Sequence, residues 1–141
     1  MRDNGTWIAV PKPANERILH TKWVFKTKTD AAGNVERYKA RLVACGNEQE
    51  HGVNYTNMFA PVMDMATARF ILALGVVWGV PPRHGDILNA YTRAPFEKNV
   101  NVYLQLPKCL KLTDQEAISG GSNAVLKLLM SLYGLKQAGH L

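Results

Sequence analysis

The stretch KWVFKTKTDAAGNVERYKARLVA, residues 22–44, decides the fold of the first part of this chain. Its two ends, 22–28 and 35–44, are rich in β-branched and aromatic residues, which favour strands. The residues between them include Asp30 and Asn34, which are typical of turns. The pattern therefore predicts a β-hairpin.

Basic and apolar side chains fall on opposite faces of this predicted hairpin, because successive side chains along a strand alternate. One face carries Trp23, Phe25, Tyr38, Ala40 and Leu42. If the apolar faces of the two strands join, the other face collects Lys22, Lys26, Lys28, Arg37, Lys39 and Arg41. Alternating arginines favour phosphate oxygens as partners. The alternative is a solvated face that only protects a sheet edge.

The composition is that of a globular domain with a basic surface. The chain has 141 residues, 47% of them hydrophobic and 20% charged, and a formal net charge of +6. One domain, or part of a larger one, fits this length. A domain this basic commonly binds polyanions, of which nucleic acid is the commonest. We expect no membrane span and no targeting segment, and the scattered cysteines and histidines predict neither a disulfide framework nor a zinc site.

The segment DMATARFILALGVVWGV, which begins at Asp64, predicts a helix with that aspartate as its N-cap and with Pro81 and Pro82 beyond its end. The segment is apolar on nearly every side, so we expect it inside a larger body. The side chains expected in the core are Met65, Phe70, Leu72, Leu74 and Trp78.

The segment GDILNAY, residues 85–91, holds a single carboxylate, Asp86. It follows the proline pair, and we expect a short strand that ends near Asp86 and continues into a helical turn. From the residues alone, Asp86 is either an N-cap of that turn or a functional carboxylate at a strand end. Further along, residues 97–112 predict a strand, residues 113–123 a polar surface loop, and residues 124–141 an apolar strand that turns at Gly134.

Blocks of residues throughout the chain carry a resemblance to a known family. They are Lys22–Lys26 with Lys28, Arg37–Ala44, Phe59–Val62, Asp86 with Ala90 and Tyr91, and Leu132–Ala138. In these blocks the chain resembles the reverse transcriptase of copia-type (Ty1-type) LTR retrotransposons. The resemblance implies an α+β fold that is part of a right-hand polymerase. Residues 1–141 then form a single partial reverse transcriptase domain, with a fingers-like part over about 1–62 and a palm-like part over about 63–141.

The resemblance also implies RNA-directed DNA synthesis by phosphoryl transfer with two divalent ions, Mg²⁺ or Mn²⁺. Asp86 then matches the first catalytic and metal-binding carboxylate of the palm, and the main-chain carbonyl of Ile87 is a further metal ligand. The residues implied in nucleotide binding are Lys39, Arg41 and Tyr91, with Tyr91 beneath the sugar, where it disfavours a 2′-hydroxyl. Those implied in template or nucleic-acid binding are Lys22, Lys26, Lys28, Arg37, Tyr133, Gly134, Lys136 and Gln137.

The partners implied by the family are an RNA template, a DNA primer, a deoxynucleoside triphosphate and the rest of a Gag-Pol-type polyprotein, in a cytoplasmic virus-like particle or the nucleus. The family's other metal carboxylates lie in a Tyr-x-Asp-Asp segment downstream of Leu141, so we expect the chain alone to be inactive. Asp114 and Glu116 are expected in a surface loop and not to replace them. Two alternatives are a non-catalytic nucleic-acid-binding remnant and a non-functional pseudogene product.

Overall fold

A computed structural model describes residues 4–60, 62–83, 85, 87, 89–96 and 100–140. These residues form a mixed arrangement of helices and mainly antiparallel strands, with one four-stranded sheet and one separate two-stranded hairpin. The predicted catalytic and metal-binding residue Asp86 lies outside the described residues. No helix of the part that the structure describes is long and apolar enough to cross a membrane.

The predicted hairpin is confirmed. Strand β3 (Thr21–Thr29) pairs antiparallel with β4 (Val35–Ala44), with a register irregularity next to the turn. In the turn, one carboxylate oxygen of Asp30 accepts hydrogen bonds from the backbone N–H groups of Ala32 and Asn34. The hydrogen bonds from Asn34 are the main reason that the pKa of Asp30 lies below its ordinary value.

The strands of the four-stranded sheet are β1 (Trp7–Pro11), β2 (Ile18–Leu19), β5 (Tyr103–Leu104) and β6 (Ala124–Leu128). Their order in the sheet is β1-β6-β5-β2. Strand β6 pairs antiparallel with β1 and β5, and β2 pairs parallel with β5. Of the strand predicted over residues 97–112, the described part, residues 100–112, contains only the two-residue strand β5. Strands β1 and β2 were not predicted.

The hydrophobic core lies where the base of the hairpin meets this sheet. Buried side chains from the hairpin, from the sheet and from the segments that precede β5 and follow β6 contribute. They are Trp7, Leu19, Leu42, Ala44, Val100, Val102, Leu104, Leu126, Leu128, Leu132, Leu135 and Ala138. Trp23 also fixes the hairpin, because its indole N–H donates to the carbonyl of Lys108 over 3.0 Å. Toward its turn the hairpin leaves the core, and Phe25 and Tyr38 are 74% and 79% exposed.

The predicted helix is confirmed as α1 (Met65–Val77), with Asp64 as its N-cap. The Asp64 carboxylate accepts hydrogen bonds from the backbone N–H and the hydroxyl of Thr67 and from the backbone N–H of Ala66, and these bonds hold its pKa below the ordinary value. The predicted burial is wrong for this chain, because no residue of α1 is buried. Phe70 is 63% exposed, and Val76 is 82% exposed.

The polar segment predicted as a loop over residues 113–123 is instead helical. Helix α2 (Asp114–Gly120) begins with a capping box in which Thr113 and Glu116 each bond the other's backbone N–H. The carboxylate of Glu116 is therefore used at the helix start. The spacing Thr-x-x-Glu was visible in the sequence and is the signal that could have predicted this helix.

The chain around Asp86 is described only in part. Gly85 and Ile87 are not in a strand, so the short strand predicted there is not observed at the described positions. A 3-10 turn, Ala90–Arg93, follows and matches the predicted helical turn. Its preceding residue, Asn89, adopts a left-handed conformation with φ of 57°.

Candidate nucleotide and nucleic-acid site

The register of the hairpin places all six predicted cations on one face. Residues that are directly opposite each other in an antiparallel pair point to the same side of the sheet. The opposite pairs on this face are Lys22 with Val43, Val24 with Arg41, Lys26 with Lys39, and Lys28 with Arg37. We call these residues the cationic face.

Two rungs of the cationic face place like charges directly opposite each other, Lys26 with Lys39 and Lys28 with Arg37. Such pairs are destabilising by a few tenths of a kcal/mol to about 1 kcal/mol each. A polyanion that lies across the strands removes this repulsion. Phosphate binding at the cationic face stays a prediction.

A cleft of about 690 Å³ opens beside the cationic face. It is bounded on one side by β4 and on the other by the segment around the Ala90–Arg93 turn. Its lining residues are Arg37, Tyr38, Lys39, Ala40, Arg41, Ile87, Asn89, Ala90, Tyr91 and Tyr133. The structure thus brings together six of the predicted site residues, which lie far apart in the sequence.

Tyr133 lies at the centre of the contacts in this cleft. The guanidinium carbon of Arg41 is 5.7 Å from the centre of the Tyr133 ring, in the range of a cation–π contact. The ring of Tyr91 meets the same ring edge to face, with centroids 5.1 Å apart and planes at 81°. One tyrosine therefore contacts both a predicted phosphate-binding cation and the predicted sugar-contacting ring.

The turn that carries Tyr133 is fixed to the end of β4. The backbone N–H of Ala44 donates to the carbonyl of Tyr133 over 2.8 Å. The next residue, Gly134, has φ of 89°, and a Cβ atom there would lie 2.3 Å from the carbonyl oxygen of Ala44. A Cβ atom on Gly46 would lie 2.0 Å from the Gly134 carbonyl oxygen. Only glycines allow the two backbones to approach this closely.

A buried amide network holds the same turn from the other side. The Gln49 side chain donates to the Gln137 side-chain oxygen over 3.0 Å and accepts from the backbone N–H of Lys136 over 2.8 Å. Gln137 donates in turn to the carbonyl of Asn54 over 2.9 Å. Gln49, Asn54 and Gln137 are 4%, 0% and 0% exposed. We call these three residues the amide network.

Gln137 and Lys136 thus have internal partners, and their predicted contact with the template stays a prediction. The Lys136 ammonium donates to the carbonyl of Gln49 over 3.1 Å and lies 4.8 Å from the centre of the Tyr55 ring. Gln49 and Asn54 were not predicted as site residues. A pair of amides in a polar loop gives no signal in the sequence, because their burial depends on a turn more than 80 residues away.

The remaining site predictions concern the metal ligands, Asp86 and the carbonyl of Ile87, and the template-binding lysines of β3. Ile87 lines the cleft and its side chain is 70% exposed, but its neighbour Asp86 lies outside the described residues. Within the described ranges no group of three or more His, Cys, Asp or Glu side chains is placed to hold a metal ion. Metal binding by Asp86 and by the carbonyl of Ile87 stays a prediction. Lys22, Lys26 and Lys28 lie on the cationic face outside the cleft lining.

Comparison with known proteins gives the family. Residues 4–141 match the family described as reverse transcriptase (RNA-dependent DNA polymerase). The chain belongs to this family, in its copia-type retrotransposon branch.

Its relatives include two transposon polyproteins. The chain is 36% identical over 138 residues to the retrovirus-related Pol polyprotein from transposon TNT 1-94 of Nicotiana tabacum, covering 98% of this chain and 10% of the polyprotein. It is 36% identical over 136 residues to that from transposon RE1 of Arabidopsis thaliana, covering 96% of this chain and 9% of the polyprotein. The chain therefore spans about a tenth of their length.

A third relative, an uncharacterized mitochondrial protein of Arabidopsis thaliana, is 52% identical over 69 residues, which is 49% of this chain and 41% of that protein. No solved structure gives a significant match.

Proposed function

We propose that this chain is the part of a copia-type RNA-directed DNA polymerase that binds the incoming nucleotide and the template–primer. The observation that carries the proposal is the convergence, in one cleft, of three cations of the cationic face with two aromatic rings. The cations are Arg37, Lys39 and Arg41, and the rings are Tyr91 and Tyr133. A triphosphate needs several cations in fixed geometry, and a nucleoside needs an aromatic or apolar surface beside them.

The cations divide into two groups by their position. Arg37, Lys39 and Arg41 line the cleft, and we assign them to the triphosphate of the nucleotide. Lys22, Lys26 and Lys28 lie on the neighbouring strand outside the cleft lining, and we assign them to the phosphate backbone of RNA or DNA. Phosphate contacts of this kind position a nucleic acid without reading its sequence.

Tyr91 supports the nucleotide assignment. It lines the cleft beside the cations and is 38% exposed, so its ring is available to a ligand. We propose that the sugar of the nucleotide packs on this ring and that a 2′-hydroxyl is disfavoured there. Because Lys136 and Gln137 have partners inside the protein, we propose that they position the turn that carries Tyr133.

The chemical step needs divalent cations, which we propose are Mg²⁺ or Mn²⁺ held by Asp86 and the main-chain carbonyl of Ile87. Such ions would activate the primer hydroxyl and neutralise charge on the leaving pyrophosphate. The residues that the structure describes contribute the cations that bind phosphate and the aromatic surface that orients the nucleoside.

The wider assignments follow the family. We propose that residues 1–62 act as fingers and residues 63–141 as palm, that the natural partners are an RNA template, a DNA primer and a deoxynucleoside triphosphate, and that the chain acts within a Pol-type polyprotein. We place that activity in a virus-like particle or in the nucleus.

Protection from lysine acylation tests the binding proposal. The chain is treated briefly with an acylating reagent, with and without an RNA–DNA template–primer, and each lysine is quantified by mass spectrometry. We expect protection of Lys22, Lys26 and Lys28, the lysines assigned to the nucleic-acid backbone. The internal controls are Lys12 and Lys108, which are exposed and lie outside the cationic face.

Equal protection at the control lysines and at the cationic face would show unspecific binding and contradict the proposal. No protection at any lysine, at a template–primer concentration that gives a clear anisotropy change, would mean that the template–primer binds elsewhere on the molecule. This result would also contradict the proposal. Protection limited to the cationic face supports it.

A further inference from the structure

We infer that Tyr133 is a positioning residue that sets the geometry of both Arg41 and Tyr91, and through them the preference for deoxynucleotides. The inference rests on the proposed function of the cleft and deepens it. Tyr133 itself need not touch the ligand, because its ring acts through the two side chains that do.

The first step concerns Arg41. Its side chain is long and has many rotamers, so a guanidinium in open solvent samples many positions. The Tyr133 ring, 5.7 Å from the guanidinium carbon, gives that group a preferred location beside the cleft. Holding a cation in place before the ligand arrives lowers the conformational cost of binding.

The second step concerns Tyr91. Its ring meets Tyr133 at 81°, and the two centroids are 5.1 Å apart. A ring that contacts its neighbour edge to face cannot rotate or tilt without losing that contact. If Tyr91 disfavours a 2′-hydroxyl by occupying space, the discrimination depends on how firmly its ring is held. Tyr133, which lies outside the Ala90–Arg93 turn, holds the Tyr91 ring in place by this contact.

The third step concerns Tyr133 itself, because it can position Arg41 and Tyr91 only if its own position is fixed. Its carbonyl is bonded to the backbone of β4, and the following residue is a glycine packed against Ala44. The backbone two residues beyond Gly134 is bonded to Gln49 of the amide network. Tyr133 is therefore fixed by the hairpin on one side and by the buried amide network on the other.

Both contacts of Tyr133 are made by its ring, and this gives a matched pair of variants. Tyr133→Phe keeps the ring and should keep both contacts. Tyr133→Leu removes them. Tyr103→Leu is the control, because Tyr103 is also half-buried but lies in β5, outside the cleft lining.

The experiment measures the dissociation constants of dGTP and GTP, each with Mg²⁺, for the unaltered chain and the three variants. Tyr133→Leu should weaken dGTP binding about tenfold, which corresponds to the combined loss of one cation–π and one edge-to-face contact. It should also lower the ratio of dGTP to GTP affinity several-fold. Tyr133→Phe should match the unaltered chain within about twofold, and Tyr103→Leu should leave the ratio unchanged.

A second measurement does not depend on any variant folding. In the NMR spectrum of the unaltered chain, the Arg41 Nε–H and the Tyr91 ring protons should show ring-current shifts from Tyr133. Absence of these shifts overturns the inference.

The inference is also overturned if the unaltered chain binds dGTP and Tyr133→Leu, folded by circular dichroism, keeps the same affinity ratio. If the unaltered chain does not bind dGTP at all, the proposed function of the cleft is contradicted and the inference is overturned with it.

Discussion

Lys26 lies directly opposite Lys39 across the hairpin, on the same face of the two strands. The next rung on this face, Lys28 opposite Arg37, repeats the arrangement. Because facing like charges raise the free energy of the folded hairpin, the cationic face is less stable alone than when a polyanion covers it. Stability of the free protein and affinity for phosphate are therefore expected to change in opposite directions.

The variant Lys26→Gln tests whether stability of the free protein and affinity for phosphate change in opposite directions. Removing one charge of the Lys26–Lys39 pair should raise the free energy of unfolding of the free chain by about 0.5 kcal/mol at low ionic strength, and it should weaken binding of a nucleic-acid duplex. Urea unfolding and fluorescence anisotropy measure the two effects. Lys108→Gln, which replaces a lysine outside the hairpin, is the control. It should change neither the free energy of unfolding nor the binding of the duplex strongly. A loss of stability in Lys26→Gln would contradict the interpretation.

Gly134→Ala tests the close approach of the Tyr133 turn to β4. Gly33→Ala is a well-matched control, because Gly33 has φ of 86° and open space around it, whereas Gly134 has φ of 89° and backbone atoms within contact. Both variants carry the cost of a left-handed residue, about 1 kcal/mol. Gly134→Ala should lose about 1–3 kcal/mol more in urea unfolding, because Ala44 blocks the added methyl group. Equal losses would mean that the turn does not pack against β4.

The lowered pKa of Glu48 predicts that the folded protein loses stability in acid. Hydrogen bonds from the backbone N–H and the ring of His20 hold the pKa of Glu48 below its ordinary value of 4.5. A carboxylate with a lowered pKa in the folded state stabilises the protein above its ordinary pKa, and this stabilisation is lost as the pH falls through and below that value. The free energy of unfolding should therefore decrease between about pH 5 and pH 3.

Glu48→Gln should make that decrease shallower. Glu36→Gln, which removes a carboxylate from the exposed part of β4, is the comparison and should follow the unaltered chain more closely. Chemical unfolding at several pH values gives the slopes. An unchanged slope in Glu48→Gln would show that the contact between His20 and Glu48 does not stabilise the fold.

The exposed apolar side chains of helix α1 predict strong binding of a hydrophobic dye. Val76 and Val77 are 82% and 77% exposed within a run of exposed apolar side chains. Replacing them by Lys and Gln should lower the fluorescence of bound anilinonaphthalene sulfonate and change the stability by less than about 0.5 kcal/mol. Ile118→Gln in α2, where the residue is also 82% exposed, is the matched control and should have a smaller effect on the dye. Equal effects would contradict the idea of one continuous apolar patch on α1.

The hairpin could be predicted from the sequence because its strands and turn are contiguous. Alternation placed the six cations on one face, and the register confirms that placement. Helix α1 was equally clear, since Asp64 and the apolar run are local signals. Strands β1 and β2 gave no such signal, because they are short and their pairing with β6 and β5 involves residues far away in the sequence.

The candidate site was predictable only in part. Lys39, Arg41, Tyr91 and Tyr133 were identified through the family resemblance, and the structure brings them into one cleft. The contacts that Tyr133 makes with Arg41 and Tyr91 could not be predicted, because they depend on how the turn packs against β4. Burial of α1 was predicted from its composition alone, and composition does not reveal which surface is available to cover a helix.

The central claim, that the cationic face binds phosphate, is tested most directly by the salt dependence of binding to duplex DNA. Each phosphate neutralised contributes about −0.9 to the slope of log affinity against log salt concentration. Changing Lys22, Lys26 and Lys28, the lysines assigned to the nucleic-acid backbone, together to Ala should make the slope shallower by up to about 2.7. Changing Lys12, Lys108 and Lys127 to Ala removes the same charge elsewhere and should leave the slope nearly unchanged. An equal reduction in both triple variants, or a slope near zero in the unaltered chain, would contradict the claim.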